Sequence, residues 1–447
     1  MSADACKGQG NLWAESRERR APEPALAGEA RADVAVIGAG YTGLAAAYHL
    51  KCAEPSLDVA LLEAETAGFG ASGRNGGFVM TLFGSSLAAM RASHGDERVR
   101  EAHHYMERSI AALEAMIEEH GLDCDYRRSG FLKIATTPRY EQRIRKELED
   151  FQSLGIGGME FLDGKALAER VRSPTFLAAL SEPGCGHLNP AKWVDALRRL
   201  AIRSGARLYE NTRIRSVERK GGKLRLKTPG GTLVADKVVF ATNGYTHLIP
   251  GLRSKQLPAF AYIIATAPLT PGQLASIGWK GREGIEDARN FMHFFRLTAD
   301  NRLLAGGGPG LVPFGARMDH DASPRAWAHL EDFITATFPQ LKGIAITHRW
   351  GGAFSVTFDS TPEIGTAFGG GAVYSVGCTG HGVAMTHMNG RILADLALGR
   401  RSDLTELWFV NRRVWPLPPE PFRFAGTKAV MLTMALDDWW CDRGGRV

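Results

Sequence analysis

Residues 68–77 read GFGASGRNGG, half of them glycine, with one Arg and one Asn in the middle. Backbone without Cβ atoms can lie against a phosphate or a flat ring that side chains would hold away. Ser72 and the amides of 71–75 suit phosphate oxygens, with Gly70 and Ala71 leading into them. Arg74 could neutralise phosphate charge or be a surface arginine in a turn. Asn75 follows it, and Gly76 and Gly77 would let the chain touch a ring. The stretch follows the acidic end of DVALLE (58–63), where Glu63 and Ala64 close an apolar run.

A second glycine set precedes it. Gly38-x-Gly40-x-x-Gly43 lies between DVAVIGAG (33–40) and TGLAAAYHLKCAE (42–54), and Glu63 comes 20 residues after Gly43. This is the βαβ dinucleotide context. Gly38 permits the tight turn, Gly40 brings backbone to the pyrophosphate, and Gly43 lets helix and strand pack closely. Tyr41 and Thr42 open the helix, whose N-terminus favours phosphate, and Glu63 can accept from a ribose diol. A nicotinamide enzyme normally continues into further βα units after that acid. The glycine stretch that stands here instead offers the second contact an elongated FAD needs.

Two further segments agree. VVFATNGY (238–245) is a strand ending in Thr242 and Gly244. VGCTGHGVAMTH (376–387) is strand, glycine turn and helix. A helix N-terminus there would hold the negative charge of a reduced flavin, with the amides of Gly380, Gly382 and Val383 or the His381 ring beside it. His381 is equally a capping or packing histidine.

The elements that must position these groups suit two units. At 447 residues the chain exceeds one simple core. Helical patterns cover 96–120, 139–154, 190–204 and 324–337, and strand patterns dominate 206–241 and 259–308. The expected fold is α/β, a Rossmann-like FAD-binding domain made discontinuous by an inserted mixed-sheet substrate domain. Its boundaries read as an arm over 1–30, the FAD-binding domain at 31–85, 150–245 and 345–400, the substrate domain at 86–149 and 246–344, and a C-terminal strap or helix over 401–447. The net charge of +6 is scattered among acids, which disfavours nucleic acid. Six cysteines stand far apart without metal spacing, and no metal site is expected. No apolar leader or membrane span is read, so a cytoplasmic protein is expected.

Together these residues resemble the D-amino-acid-oxidase-like superfamily of FAD-dependent oxidoreductases, and within it the gamma-glutamylputrescine oxidase branch. EAETAGFGASGRNGG, GHLNPAKW, ATNGYTHLIP, FFRLTADNRLLAGG, RWGGAFSVTFDSTPEIG and GCTGHGVAMTHMNGRILAD carry the resemblance, over roughly 24–395. It implies non-covalent FAD, with Val217 added to the cofactor contacts, and oxidation of an amine C–N bond to an imine that hydrolyses. It also implies that O2 reoxidises the flavin to give hydrogen peroxide. Sarcosine-oxidase relatives carry a substrate-clamping Lys where this chain has Ala384, and a flavin-linking Cys in a segment that here contains none. A small N-methyl amino acid and a covalent flavin are both disfavoured.

Hydride transfer from an amine carbon needs the neutral amine, hence a partly desolvated pocket, and no dedicated nucleophile. In FMHFFRL, Phe291, His293 and Phe295 share one face, with Phe294 and Arg296 on the other. His381, Arg296 and Trp350 are the candidates for catalytic contact, with Arg349 and Tyr262 behind them; ordinary packing or salt bridges are the alternative for each. A dehydrogenase using a quinone or carrier protein is the second functional reading. A flavin-bearing module that recognises tRNA is a third, disfavoured by the scattered charge.

Overall fold

The apolar run ending in Ile37 is buried along its last four residues because parallel strands flank it on both sides. In the computed structural model, which describes residues 10–17 and 19–443, that run is the centre of the first of two eight-stranded sheets. The order along it is Glu363–Ala367, Ala372–Val376, Gly231–Phe240, Gly28–Ile37, Val59–Leu62, Arg207–Tyr209. The hairpin Ser216–Lys220/Lys223–Lys227 attaches to Gly231–Phe240. Helix Tyr41–Ala53 buries Leu44, Ala45, Ala46, Ala47 and Leu50. Its small side chains leave room for helices Pro190–Arg203 and Gly382–Ala397 beside it.

The second sheet runs Ile346–Val356, Leu257–Pro268, Arg302–Gly307, His293–Leu297, Gly284–Asp287, Phe131–Ala135, Ala178–Glu182, Glu160–Leu162. It is mixed, since only Gly284–Asp287 and Phe131–Ala135 pair in parallel. Helix Pro324–Thr337 covers one face, packing Trp327, Leu330 and Ile334 against Tyr262, Ile264 and Phe295. The opposite face is turned to the cavity described below.

The two-unit α/β architecture is present, with different membership at the seams. Strands at 160–162, 178–182 and 346–356, expected in the first unit, lie in the second sheet. Helix Asp96–His120, expected with the second, packs on the first through Met106, Ile110 and Leu113, and Tyr105 Oη donates to Asn389 Oδ1 at 2.6 Å. Hydrophobic period does not say which of two sheets receives an element. Residues 1–9 of the expected N-terminal arm lie outside the described residues, but 12–15 form a short helix whose Leu12 and Trp13 are buried against Ile263 and Trp350. Past 414 the irregular segment becomes helix Phe422–Asp442. Among the described residues no helix is long and apolar enough to cross a membrane, and no acid, His or Cys group could hold a metal.

Candidate active site

One cavity of about 1020 Å³ runs from the carboxyl ends of the first sheet's strands to the inner face of the second sheet. Two long helices open on it. Tyr41–Ala53 begins at Gly40 and Gly382–Ala397 begins at His381, and neither of these N-cap residues caps its helix through its own side chain. Apart from the Tyr41 N–H, which Ser72 takes, their first turns present N–H groups and partial positive charge to the cavity, which suits an anionic ligand. Glu63 stands beside the first. Its Oε2 accepts from the Ala39 N–H at 2.8 Å and its Oε1 from the Glu65 N–H at 3.0 Å, which aim the carboxylate. Burial raises its pKa, opposed by those two N–H groups.

Residues 68–77 are pinned from behind by their carbonyls. Asn11 Nδ2 donates to Gly73 O at 2.7 Å, Trp350 Nε1 to Arg74 O at 2.7 Å, Trp13 Nε1 to Asn75 O at 2.9 Å, and Arg296 Nη1 to Gly76 O at 2.9 Å. The Leu188 N–H takes the next carbonyl, Gly77 O, at 2.9 Å. Five successive carbonyls thus face the protein interior, satisfied by donors from four distant parts of the chain. Gly77 has φ +79°, and a Cβ there would meet Leu188 O at 2.2 Å, so this packing admits only glycine. The Tyr41 N–H donates to Ser72 Oγ at 3.0 Å, tying the two glycine segments together.

Most of the sequence candidates line this one cavity: positions 38, 40–42, 63, 64, 70–72, 74–77, 242 and 380–383. Gly43 lies behind the wall, where it lets the helix approach Gly38. Val217 is not on the wall; it pairs with Leu226 in the hairpin, and the neighbouring stretch 212–215 lines the cavity instead. Gly244 is also off the wall, its carbonyl accepting from Gln256 Nε2 at 3.1 Å.

The arginine and tryptophan candidates need correction. Arg296 and Trp350 are buried behind the glycine loop and hold it from there, so neither is placed to touch a substrate. Arg74 reaches the wall, but its guanidinium pairs with Asp321 at 2.8 Å and lies over the Phe69 ring. Arg349 pairs with Glu331, and Tyr262 Oη donates to His320 O. His381 does face the cavity. Its Nδ1 is buried without a partner among the described residues, and desolvation, aided by Lys133, lowers its pKa to about 4, so the ring is neutral at pH 7. Cys378 is on the wall, its thiol held neutral by burial and 3.5 Å from Asn243 Oδ1.

Three further elements complete the wall. Leu257, Ala259, Ala261 and Ile263 line the cavity at every second position of their strand, an alternation visible in LPAFAYI. Phe294 lies against Gly76 and meets Phe78 edge-on at 5.3 Å between ring centres. The C-terminal helix contributes Thr427, Met431 and Met434 at helical spacing.

Residues 33–396 match the family model described as DAO, FAD dependent oxidoreductase. The chain belongs to the DAO family. It is 32% identical over 414 residues to the gamma-glutamylputrescine oxidoreductase of Escherichia coli K12, covering 91% of this chain and 93% of that one. It is 33% identical over 441 residues to a probable oxidoreductase OrdL of Rhizobium meliloti, covering 97% of each. Among solved structures, glycine oxidase from Geobacillus kaustophilus superposes with a TM-score of 0.72 at 21% identity, over 86% of this chain and all of that one. That likeness confirms the DAO fold. The protein is an FAD-dependent oxidoreductase, and the two helix N-termini, the aimed Glu63 and the long cavity fit FAD.

Proposed function

We propose that this DAO-family protein oxidises the C–N bond of a primary or secondary amine of the gamma-glutamylputrescine type. The imine then hydrolyses to an aldehyde or keto product. The observation that carries the reading is nearly full-length similarity to a gamma-glutamylputrescine oxidoreductase. The cavity supports it: Phe294, Ile263, Met431 and Met434 give the second sheet's end an apolar wall that disfavours the protonated amine. Ala384 leaves no lysine at the turn for an amino-acid carboxylate.

Bound in the cavity without a covalent link, FAD supplies the two-electron acceptor. The chain's own groups hold and orient it. The amides opening helix Tyr41–Ala53 would hold the pyrophosphate, Glu63 the ribose hydroxyls, and Gly76 and Gly77 the ring. With the flavin bound, the start of helix Gly382–Ala397 would favour negative charge on the ring through its dipole. We assign O2 as the electron acceptor and the cytoplasm as the site of action, in polyamine breakdown.

An anaerobic visible spectrum tests the reaction class. Flavin bands should bleach with gamma-glutamylputrescine, and bands that stay oxidised across an amine panel would remove the proposal. One peroxide per turnover in air supports O2; markedly less points to a quinone or carrier protein. Glu63→Gln should weaken FAD about tenfold or more, because its amide nitrogen must face one of two backbone N–H donors. Titrating apoprotein with FAD by fluorescence reads this, and unchanged affinity would remove Glu63 from the ribose.

A further inference from the structure

Glu286 lies in strand Gly284–Asp287, in register with Lys133 on one side and Phe294 on the other. It is 6% exposed and lines the large cavity. It also lines a second small cavity of about 60 Å³ with Lys133, Glu147 and Glu182. No described residue gives its carboxylate a hydrogen bond or an ion pair within 4 Å. A buried, unpartnered acid facing a ligand cavity is costly unless the ligand completes it.

Its charged surroundings lack a cation to spare. Lys133 is the adjacent base, and it is already paired with Glu147 at 2.6 Å. Glu182 is bonded to Thr81 Oγ1. Asp287, next in the chain, pairs with His293 at 3.0 Å and with Arg289. His381 is neutral, its pKa lowered by burial and then by Lys133. Of the arginines on the large cavity's wall, Arg74, Arg213 and Arg423 are paired with Asp321, Glu65 and Glu420. Arg215 is exposed and sits in the 212–215 stretch, whose Thr212 N–H bonds Glu63 O at the other end.

We propose that Glu286 receives the substrate's cationic nitrogen, so that the site takes alkylamines whose oxidised carbon bears no carboxylate. The Glu286 carboxylate accepts a hydrogen bond from R–CH2–NH3+ and then its proton. One N–H bond breaks and one O–H bond forms, leaving R–CH2–NH2 and the carboxylic acid, with no change in electron count. A carboxylate on the same carbon, as in an α-amino acid, would be driven against Glu286. The inference rests on the amine-oxidation reading and names the residue that makes it work.

Burial raises the Glu286 pKa to about 7, with Lys133 opposing and Asp287, Glu147 and Glu182 adding to the rise. Below that value the acid is neutral. Binding of a cation should therefore strengthen as pH rises through 7 and level off above it.

The test is calorimetric binding of tert-butylamine and of trimethylacetate, its carboxylate counterpart, to the oxidised holoenzyme. Neither has a hydrogen on the carbon that bears its charged group, so neither can be oxidised there. Wild type should prefer the amine, with affinity rising between about pH 6 and pH 8. Glu286→Gln should lose about 10- to 100-fold and its pH response, with flavin content retained. Glu286→Asp should keep the pH response with weaker binding. Equal wild-type affinity for trimethylacetate at about pH 8, or an unaltered pH response in Glu286→Gln, overturns the assignment. Failure of every amine to bleach the flavin would sink the reaction class, while Glu286-dependent binding of tert-butylamine would still stand.

Discussion

Arg296→Met is expected to purify without flavin and with the glycine loop loosened. Arg296 Nη1 donates to two carbonyls, the part-buried Gly76 O at 2.9 Å and the buried Leu188 O at 2.7 Å, and the guanidinium lies over the Trp13 ring at 5.2 Å. Methionine fills much of the space and satisfies neither carbonyl. Each orphaned group costs about 1–3 kcal/mol, so a combined loss of roughly 2–5 kcal/mol is expected in urea unfolding. Flavin absorbance per chain separates this from a substrate-binding role. A substrate arginine would leave the flavin in place and abolish turnover alone. A fully yellow, normally stable Arg296→Met protein would show that the loop holds its shape without that support.

Gly43→Ala should be nearly as damaging, through a single methyl group. The added Cβ would stand 1.8 Å from Gly38 O and 3.0 Å from Gly38 C, both backbone atoms that cannot rotate away. Helix Tyr41–Ala53 must then lift from the strand it follows, carrying the Thr42 amide off the cavity wall. Overpacking of this kind costs about 1–3 kcal/mol, more where backbone is the obstacle. Apoprotein titration should show FAD affinity reduced by about 100-fold or more, if about 3 kcal/mol is lost from the bound form. Gly272→Ala, where a Cβ meets nothing within 4 Å, serves as the control and should leave FAD affinity and stability within about 0.5 kcal/mol of wild type. Equal behaviour of the two variants would refute the close-approach argument.

The FAD end of the site was legible because its determinants are local. A turn, the first amides of a helix and an acid 20 residues on are adjacent in sequence, and the cavity wall holds Gly38, Gly40 and Glu63 together. Arg296 and Trp350 were misread for a different reason. Strand alternation correctly put Phe294 and Arg296 on one face, but alternation carries no depth. Phe294 reaches the cavity wall, whereas Arg296 ends behind the loop. Glu286 gave no local signal at all: GIEDA resembles any short strand with a charged middle. Its significance arises only when Lys133 of another strand proves to be committed to Glu147. Elements that switch between sheets, such as 160–182, were likewise invisible, since either sheet would bury them.

The pinned carbonyls have a consequence for how the molecule is made. Their side-chain donors come from positions 11, 13, 296 and 350, so the flavin loop emerges from the ribosome long before its supports are complete. A nascent chain stopped before residue 296 carries every glycine of both phosphate segments yet lacks two of the four side-chain clamps. The loop's support is therefore completed late in biosynthesis. It also depends on a stretch around Trp13 that lies outside the 33–396 core of the family match. Trimming that stretch from an expression plasmid should release the flavin while leaving every residue that touches it intact.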